Sequence, residues 1–329
     1  MTHRMLRVVL FALLAMTVAF PAASTVAFQS SDATPVASEP KLPATVTDVN
    51  GNQVTVTDVS RIVPLSGDIA EIVWTLGFGA NIVGVDVSAV YPPELRQLPQ
   101  IGFERQLSAE GILSLNPTLV IGKEQAGPPP VLEQIRAAGV PLVIVAEPQT
   151  IEAPTAKIRA VAEALGVTDA GEELAAKTQQ EIDEARALAA TATSKPTVLF
   201  LYVRGGGTQL IGGAGSVADA MIDAAGGVDA GVAAGIQGFV PITAEAVVAA
   251  QPDVIIVPQS GVDSIGGVEA LLQVPGVAET PAAKEGRILV YEDLLFLGMT
   301  PRTGQMVRQL ALDLHPELAG ATPVASPAA

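Results

Sequence analysis

The stretch LSAEGILSLNPTLVIG, residues 107–122, decides the fold because the chain carries it a second time. Residues 242–257 read ITAEAVVAAQPDVIIV, and the two phrases align without a gap. Each begins with an aliphatic residue and continues with Ser or Thr, then Ala and Glu, a short apolar helix, a proline and an aliphatic strand. A helix–strand unit repeated in this way predicts two similarly built lobes in one chain.

Each copy of the repeated phrase places a glutamate in the first turn of its predicted helix. Ser108 and Thr243 are good N-cap residues, so Glu110 and Glu245 follow two positions later. A carboxylate at that position ordinarily stabilises the helix through its dipole by a few tenths of a kcal/mol. Two such carboxylates at matched positions on two lobes would also suit a single partner that contacts both lobes.

Short aliphatic runs alternate with amphipathic segments over residues 45–316. Valines and threonines around Asn50 and Gly51 predict a β-hairpin over residues 45–56. The predicted buried strands are residues 62–65, 82–85, 119–121, 142–145, 198–202, 254–257 and 288–290. The predicted helices among them are residues 68–76, 131–138, 216–225 and 301–314. This alternation predicts an α/β fold with two similar lobes, each around a central parallel sheet.

A long helix is predicted between the lobes, within a linker over residues 151–194. Residues 170–190 are rich in Ala, Glu, Gln and Lys, contain no proline, and contain a single glycine, Gly171. We therefore expect one continuous helix that joins an N-terminal lobe (45–150) to a C-terminal lobe (195–316) as a stiff hinge.

The first 24 residues have the layout of a secretion signal. Arg4 and Arg7 precede an apolar run over residues 8–20, and small residues follow at positions 22–24. The run is short for a membrane span, so we expect a cleaved signal, with an uncleaved anchor as the alternative. Residues 25–44 and 317–329 are rich in Ser, Pro, Ala and Thr, which predicts a disordered tether and a disordered tail.

The composition excludes several kinds of function. The chain has no cysteine, which removes disulfides, thiolate chemistry, cysteine-bound metals and a lipidated cysteine after the signal. Its net charge of −16 argues against nucleic acid as a partner. With 2 histidines and no Gly-x-Ser-x-Gly motif, the chain has little machinery for an exported enzyme, so we expect neither catalysis nor a catalytic cofactor.

Four phrases resemble the helix-linked (class III) substrate-binding proteins of ABC importers, and the haem carriers among them most of all. They are RIVPLSGDIAEIVWTLGFGANIVGVD (61–86), YPPELRQLPQIGFERQLSAEGILSL (91–115), AGPPP (126–130) and LLFLGMTPRTG (294–304). The resemblance implies an exported monomeric carrier, in the periplasm or on the outer face of the cytoplasmic membrane, that transports haem between its two lobes. It also implies that Glu110 and Glu245 bind the two subunits of an ABC permease dimer.

The resemblance places the ligand cleft just before each copy of the repeat. Phe103 and Phe239 are expected to offer flat apolar faces to a flat ligand, although either alone would ordinarily be a core residue. The haem carriers usually have an iron-binding tyrosine where Phe103 stands here, and the arginine two positions later is retained as Arg105. Phenylalanine cannot ligate iron, so the metal ligand is left open.

Other residues could also take part in ligand binding. The remaining candidates for iron are weak ones, namely Tyr202, Tyr91, Tyr291 and Met299. Tyr202, at the end of a predicted strand beside Arg204, could face the cleft or equally be a core residue, and Tyr91, before two prolines, is more typical of a structural residue. Arg204 and Arg302 could each hold a haem propionate, or could be solvated or form a salt bridge between the lobes. His315 is expected on the surface near the end of the last helix, where it would not bind iron.

Three functional hypotheses remain open at this point. The first is an exported haem carrier that delivers its ligand to an ABC permease. The second keeps the fold and replaces haem with a cobalamin-like corrinoid or a ferric siderophore, because Phe103 removes the expected iron ligand. The third, a remote one, is an exported enzyme. The sequence does not decide the ligand, its stoichiometry, the axial ligand of the iron or the envelope type of the host.

Overall fold

A β-hairpin begins the part of the chain that the computed structural model describes, residues 39–320. Strands β1 (Ala44–Thr47) and β2 (Gln53–Val56) pair antiparallel. The carboxylate of Asp48 accepts a hydrogen bond from the backbone N–H of Asn52 at 2.8 Å and so closes the turn. Gly51 takes a φ of 81°, a left-handed conformation that glycine adopts without strain. The hairpin predicted from the sequence is therefore present.

The N-terminal lobe is built around a three-stranded parallel sheet. In chain order the lobe contains β3 (Ile62–Pro64), α1 (Gly67–Val73), α2 (Ala109–Leu113), β4 (Leu119–Lys123), α3 (Pro129–Ala137) and β5 (Leu142–Val145). The sheet order is β3-β4-β5, with both pairs parallel. All residues of the three strands are buried, which explains why they form continuous aliphatic runs rather than an alternating pattern.

The strand predicted at residues 82–85 is absent. Its first and last residues form isolated bridges to Ile62 and Gln100 respectively. Between them, Gly84 lies so close to Leu115 that a Cβ atom there would come within 2.3 Å of the leucine side chain. The segment thus divides its pairing between two neighbours and does not extend the sheet.

Two packed helices lead out of this lobe, α4 (Ala153–Ala164) and α5 (Thr168–Ala189). Helix α5 has 22 residues and corresponds to the long helix predicted over residues 170–190. Gly171 lies against α4, where a Cβ atom would come within 2.3 Å of the Cβ of Ala162. Such close packing favours the stiff connection expected from the sequence.

The C-terminal lobe has the larger sheet. In chain order it contains β6 (Thr197–Arg204), β7 (Thr208–Gly212), α6 (Val217–Ala224), β8 (Val228–Asp229), α7 (Ala230–Ala233), β9 (Phe239–Pro241), α8 (Ala244–Ala250), β10 (Val254–Pro258), α9 (Gln259–Ile265), α10 (Val268–Leu271), α11 (Pro281–Lys284), β11 (Ile288–Tyr291), α12 (Asp293–Leu297) and α13 (Thr303–Leu314). The sheet order is β11-β10-β6-β7-β9, and β8 pairs with β6.

The two-lobed α/β fold is confirmed, with one correction to the sheets. Strands β8, β6, β10 and β11 are parallel, whereas β7 and β9 join antiparallel. Glycine-rich segments at residues 205–207 and 212–215, which favour turns, lie at the two ends of β7, so no sequence signal indicated this short hairpin strand.

Residues at both ends of the described chain are tied to the fold. The tether was predicted to reach Ala44, yet the backbone N–H of Lys41 already donates to the carbonyl of Gly166 at 2.8 Å. The predicted tail likewise begins inside the fold, because Leu318 is buried within the 3₁₀ helix Pro316–Gly320.

The predicted signal at residues 1–24, and the remainder of the tether and tail, lie outside the described residues. Within residues 39–320, no helix combines the length and the apolar character that crossing a bilayer requires.

Candidate functional site

Aromatic side chains gather on one side of β6. Phe200 and Tyr202 lie two residues apart on this strand and therefore share a side of the sheet. The ring centroid of Phe239, in β9, is 6.3 Å from that of Phe200 and 6.1 Å from that of Tyr202, both edge to face. Phe200 is fully buried, whereas Phe239 keeps 47 % of its surface exposed. These three residues form an aromatic face, in which the buried ring of Phe200 supports the more exposed rings of Tyr202 and Phe239. A flat ligand could stack on this face.

Arg204 lies next to Tyr202 on the same side of β6. Its guanidinium carbon is 4.7 Å from the centroid of the Tyr202 ring, a cation–π contact. Its Nη2 donates to the carboxylate of Asp293, at the start of α12. Because Asp293 already pairs with this charge, Arg204 is less available to a ligand carboxylate than the sequence suggested.

The N-terminal lobe presents a second apolar patch. Phe103 and Val87 are 42 % and 46 % exposed, and the backbone N–H of Val87 donates to the carbonyl of Gly102 at 3.0 Å. The side chain of Arg105 is 63 % exposed, and its Nε lies 3.8 Å from the carboxylate of Glu104, a long ion pair. Arg105 is therefore well placed to meet a ligand anion from solvent.

Glu104 connects the Phe103 loop to a buried cluster of charges. The cluster joins two lysines to three carboxylates, namely Lys123, Lys157, Asp68, Glu104 and Glu147. Burial alone would raise the pKa of Asp68, but the two lysines outweigh it and hold that pKa below its usual range. Burial raises the pKa of Glu104 despite the opposing charge of Lys123, and one of its oxygens accepts no hydrogen bond.

Polar contacts connect the N-terminal lobe and the linker helix α4 to the C-terminal lobe. Glu71 in α1 accepts hydrogen bonds from Nε and Nη2 of Arg302 at 2.8 and 2.7 Å. The Arg302 guanidinium carbon also lies 3.6 Å from the centroid of the Tyr91 ring. Lys157 in α4 donates to the carbonyl of Gly298 at 2.7 Å. The sequence left several roles open for Arg302, and in the structure it forms the salt bridge between the lobes. Its charge is therefore paired with Glu71 and is less available to a ligand.

The weaker candidates for iron are also engaged elsewhere. The hydroxyl of Tyr291 donates to Asp313 at 2.6 Å, and its ring stacks on Phe296 with centroids 5.6 Å apart. Burial, reinforced by Asp313, raises the pKa of Tyr291 well above its ordinary value, so it is poorly suited to act as a phenolate. Met299 is 1 % exposed and packs in the apolar core. Tyr202 is the candidate that lies at the aromatic face.

The expectation of a surface position for His315 is wrong. Its side chain is fully buried, with Nε2 3.2 Å from the carbonyl oxygen of Ala225 and Nδ1 3.4 Å from the hydroxyl of Ser194. The buried side of α13 extends past the end of the helix, because Leu314 and Leu318 on either side are also buried. Within residues 39–320, no group of three or more His, Asp and Glu side chains is arranged to hold a metal ion.

The matched glutamates both lie in exposed first turns. Glu110 is in α2, where the Ser108 hydroxyl accepts from the backbone N–H of Gly111 at 3.3 Å. Glu245 is in α8, where the Thr243 hydroxyl accepts from the backbone N–H of Ala246 at 3.1 Å. The two capped turns thus present one carboxylate on each lobe.

Several residues with polar roles were not predicted from the sequence. They include Glu71, Ser260 and Asp293, besides the members of the buried charge cluster. Asp293 follows β11 at its carboxyl end, where parallel strands commonly place functional side chains, and that position was a usable signal. Nothing in the sequence near Glu71 indicates its distant partner.

The chain is similar to a known protein family and to individual proteins. The periplasmic binding protein family matches residues 62–294. The uncharacterized ABC transporter substrate-binding lipoprotein YvrC of Bacillus subtilis is 25 % identical over 279 residues, which are 84 % of this chain and 86 % of YvrC. A vitamin B12-binding protein of Photorhabdus laumondii is 27 % identical over 139 residues, 42 % of this chain and 50 % of that protein.

Solved structures give closer similarities. The periplasmic heme-binding protein RhuT from Roseiflexus sp. RS-1 is 54 % identical, with a TM-score of 0.77 over 79 % of this chain and 100 % of RhuT. The heme binding protein HmuT is 36 % identical, with a TM-score of 0.80 over 85 % of this chain and 93 % of HmuT. Solved variants of HmuT replace a histidine, a tyrosine, or an arginine two positions after that tyrosine with alanine.

Proposed function

The chain belongs to the periplasmic binding protein family, and we propose that it is the haem-binding component of an ABC importer. The observation that carries this proposal is the similarity to a heme-binding protein over that protein's full length, at 54 % identity. The exposed rings of Phe103 and Phe239, one on each lobe, support it because they offer apolar surfaces to a flat macrocycle. The chain would capture haem outside the cytoplasm, which accords with the secretion signal predicted at residues 1–24.

We assign the haem iron to Tyr202. The variants of HmuT point to a tyrosine followed two positions later by an arginine, and this spacing occurs in the present chain at Tyr202 and Arg204. A tyrosine phenolate is an established type of haem ligand. The neighbouring ring of Phe239, 6.1 Å away, would lie beside the macrocycle. Phe103 can only pack against the ring, so we expect one protein ligand on the iron.

Arg105 is the residue that we assign to the haem propionates. Its side chain is 63 % exposed and makes only the long contact to Glu104. Arg204 and Arg302, by contrast, have short ion pairs with carboxylates. An arginine fork binds a carboxylate through two parallel hydrogen bonds, which makes Arg105 suitable for this anion.

The partner that we propose is an ABC permease dimer, contacted through Glu110 and Glu245. Both carboxylates lie in exposed, capped first turns of corresponding helices. One charge on each lobe would fix the orientation of the carrier on a two-subunit partner. The similarity to YvrC, an ABC transporter substrate-binding lipoprotein, supports this assignment.

A hemin titration tests the haem proposal and the iron ligand together. We expect the wild-type protein to bind hemin and to show a phenolate-to-iron charge-transfer band. Tyr202→Phe should remove the band and weaken binding by about tenfold or more, which corresponds to about 1.4 kcal/mol. Tyr91→Phe is the matched control, because it keeps the ring beneath Arg302. A wild type that does not bind hemin would exclude haem, and a band retained in Tyr202→Phe would exclude this ligand.

A corrinoid is the second candidate ligand. It is favoured by the similarity to a vitamin B12-binding protein, which extends over 139 residues and half of that protein. The aromatic face could support a corrin ring as well as a porphyrin. Calorimetric titration with cyanocobalamin beside hemin would decide, because a carrier of corrinoids should bind cobalamin far more tightly than hemin.

A further inference from the structure

Asp293 holds together two elements beside the proposed iron ligand. Its carboxylate accepts the backbone N–H of Ser260 at 3.0 Å and the hydroxyl of the same residue at 2.6 Å. The same carboxylate forms the ion pair with Arg204. Ser260 belongs to the first turn of α9, so Asp293 connects α12, α9 and the end of β6.

The guanidinium of Arg204 is held in one position by several neighbours. Beyond Asp293, its Nη1 donates to the carbonyl of Val203 at 3.3 Å. At Gly261 a Cβ atom would lie 3.2 Å from that Nη1 and 2.7 Å from the Val203 carbonyl. The glycine therefore leaves room for the guanidinium, which lies 4.7 Å from the centroid of the Tyr202 ring.

We propose that Asp293 is a positioning residue of the ligand site: it holds Arg204 against the ring of Tyr202 and thereby orients the phenol towards the ligand. This inference rests on the proposed function, in which Tyr202 binds the haem iron. An arginine side chain has many rotamers, and a charged, hydrogen-bonded anchor restricts them.

Two simpler roles for Asp293 make different predictions. It could serve only to cap α9 through Ser260, which needs a hydrogen-bond acceptor but no charge. It could also only neutralise Arg204, in which case losing the carboxylate would free that guanidinium to bind an anionic ligand and would tighten hemin binding. Asp293→Asn separates these cases, because asparagine keeps an acceptor for Ser260 and removes the charge that holds Arg204.

The experiment compares Asp293→Asn with Asp263→Asn, a matched control. Asp263 also lies in α9, where it accepts a hydrogen bond from Gln259 at 2.8 Å. NMR of ligand-free protein with 13C-labelled tyrosine rings reports on Tyr202, whose signal is assigned by its loss in Tyr202→Phe. A hemin titration then measures affinity and the charge-transfer band.

If Asp293 positions Tyr202 through Arg204, Asp293→Asn should shift or broaden the Tyr202 ring signal in the ligand-free protein. It should also weaken hemin binding about tenfold and reduce the charge-transfer band, while Asp263→Asn matches wild type in both readouts. Asp293→Glu should restore part of the affinity, since it returns a carboxylate.

An unchanged Tyr202 signal in Asp293→Asn would overturn the inference, and so would unchanged or tighter hemin binding. If Asp293→Asn does not fold, Ser260→Ala replaces it. That change removes one donor to Asp293 and should shift the Tyr202 signal in the same direction by a smaller amount; no shift would again overturn the inference. Failure of the wild type to bind hemin would exclude the proposed function, while the ligand-free signal still decides whether Asp293 positions Tyr202.

Discussion

Replacing Arg302 with methionine should strongly destabilise the protein, because the change leaves the buried carboxylate of Glu71 without its charged partner. The side chain of Glu71 is 1 % exposed and that of Arg302 is 17 % exposed, and two hydrogen bonds join them. Removing one partner of such a buried pair costs about 3–5 kcal/mol. Methionine keeps much of the apolar stem, so most of the expected loss comes from the uncompensated charge rather than from a cavity.

The loss should depend on pH, with a sign set by Glu71. Burial raises the pKa of Glu71 above its ordinary value of 4.5, although Arg302 opposes the rise. In Arg302→Met that opposition is gone, so the pKa in the folded state rises further while the unfolded value stays near 4.5. The protonated carboxyl favours the folded state. The contribution of Glu71 to the stability of the variant is therefore greatest below pH 4.5 and is lost as pH rises through the folded pKa.

Urea unfolding followed by circular dichroism at pH 5 and pH 8 measures this effect. Arg159→Met is the matched control, because Arg159 and Glu172 form a pair whose side chains are 49 % and 56 % exposed. Such a surface pair contributes about 0–1 kcal/mol. Adding Glu71→Gln to Arg302→Met should restore part of the stability at pH 8. The reasoning is refuted if Arg302→Met costs no more than the control at pH 8, or if its cost is the same at both pH values.

Three further predictions concern docking, motion and the iron site. Glu110→Ala combined with Glu245→Ala should leave hemin affinity unchanged and abolish permease binding, measured by titration and pull-down; weaker hemin binding with intact docking would contradict this. Ligand binding should change the radius of gyration only slightly, because α5 is a continuous helix of 22 residues packed on α4; a large compaction in solution X-ray scattering would contradict this. Phe103→Tyr should tighten hemin binding and add a second phenolate-type signal, seen by resonance Raman; an unchanged spectrum would show that residue 103 does not face the iron.

Local sequence patterns predicted most of the fold. The repeated phrase predicted α2 with β4 and α8 with β10, because capped helix starts and aliphatic runs are local signals. The composition of residues 170–190 predicted α5 for the same reason. Strands β7 and β9 were missed because their flanking glycines signal turns, and only pairing with β6 makes β7 a strand.

The partners of charged side chains could not be read from the sequence. Arg302 pairs with Glu71, 231 residues away, and Arg204 with Asp293, 89 residues away. Neither pair has a spacing that a helix or strand imposes, so tertiary packing alone brings them together. For the same reason His315 was expected at the surface, although its buried ring contacts Ala225 and Ser194, which are distant in the sequence.

The distribution of paired and available charges argues for one orientation of the ligand. The two lysines of the cluster connected to the Phe103 loop already pair with its three carboxylates, so they are not available to a ligand anion. Arg105, exposed at the surface, is available to an anion. Haem carries two propionates, and we expect them to lie outward beside Arg105, with the apolar edge of the macrocycle on the aromatic face. A corrinoid, whose side chains are largely uncharged amides, would gain little from Arg105. Arg105→Ala should therefore weaken hemin binding several-fold, whereas the affinity of a corrinoid carrier for cobalamin would be unchanged.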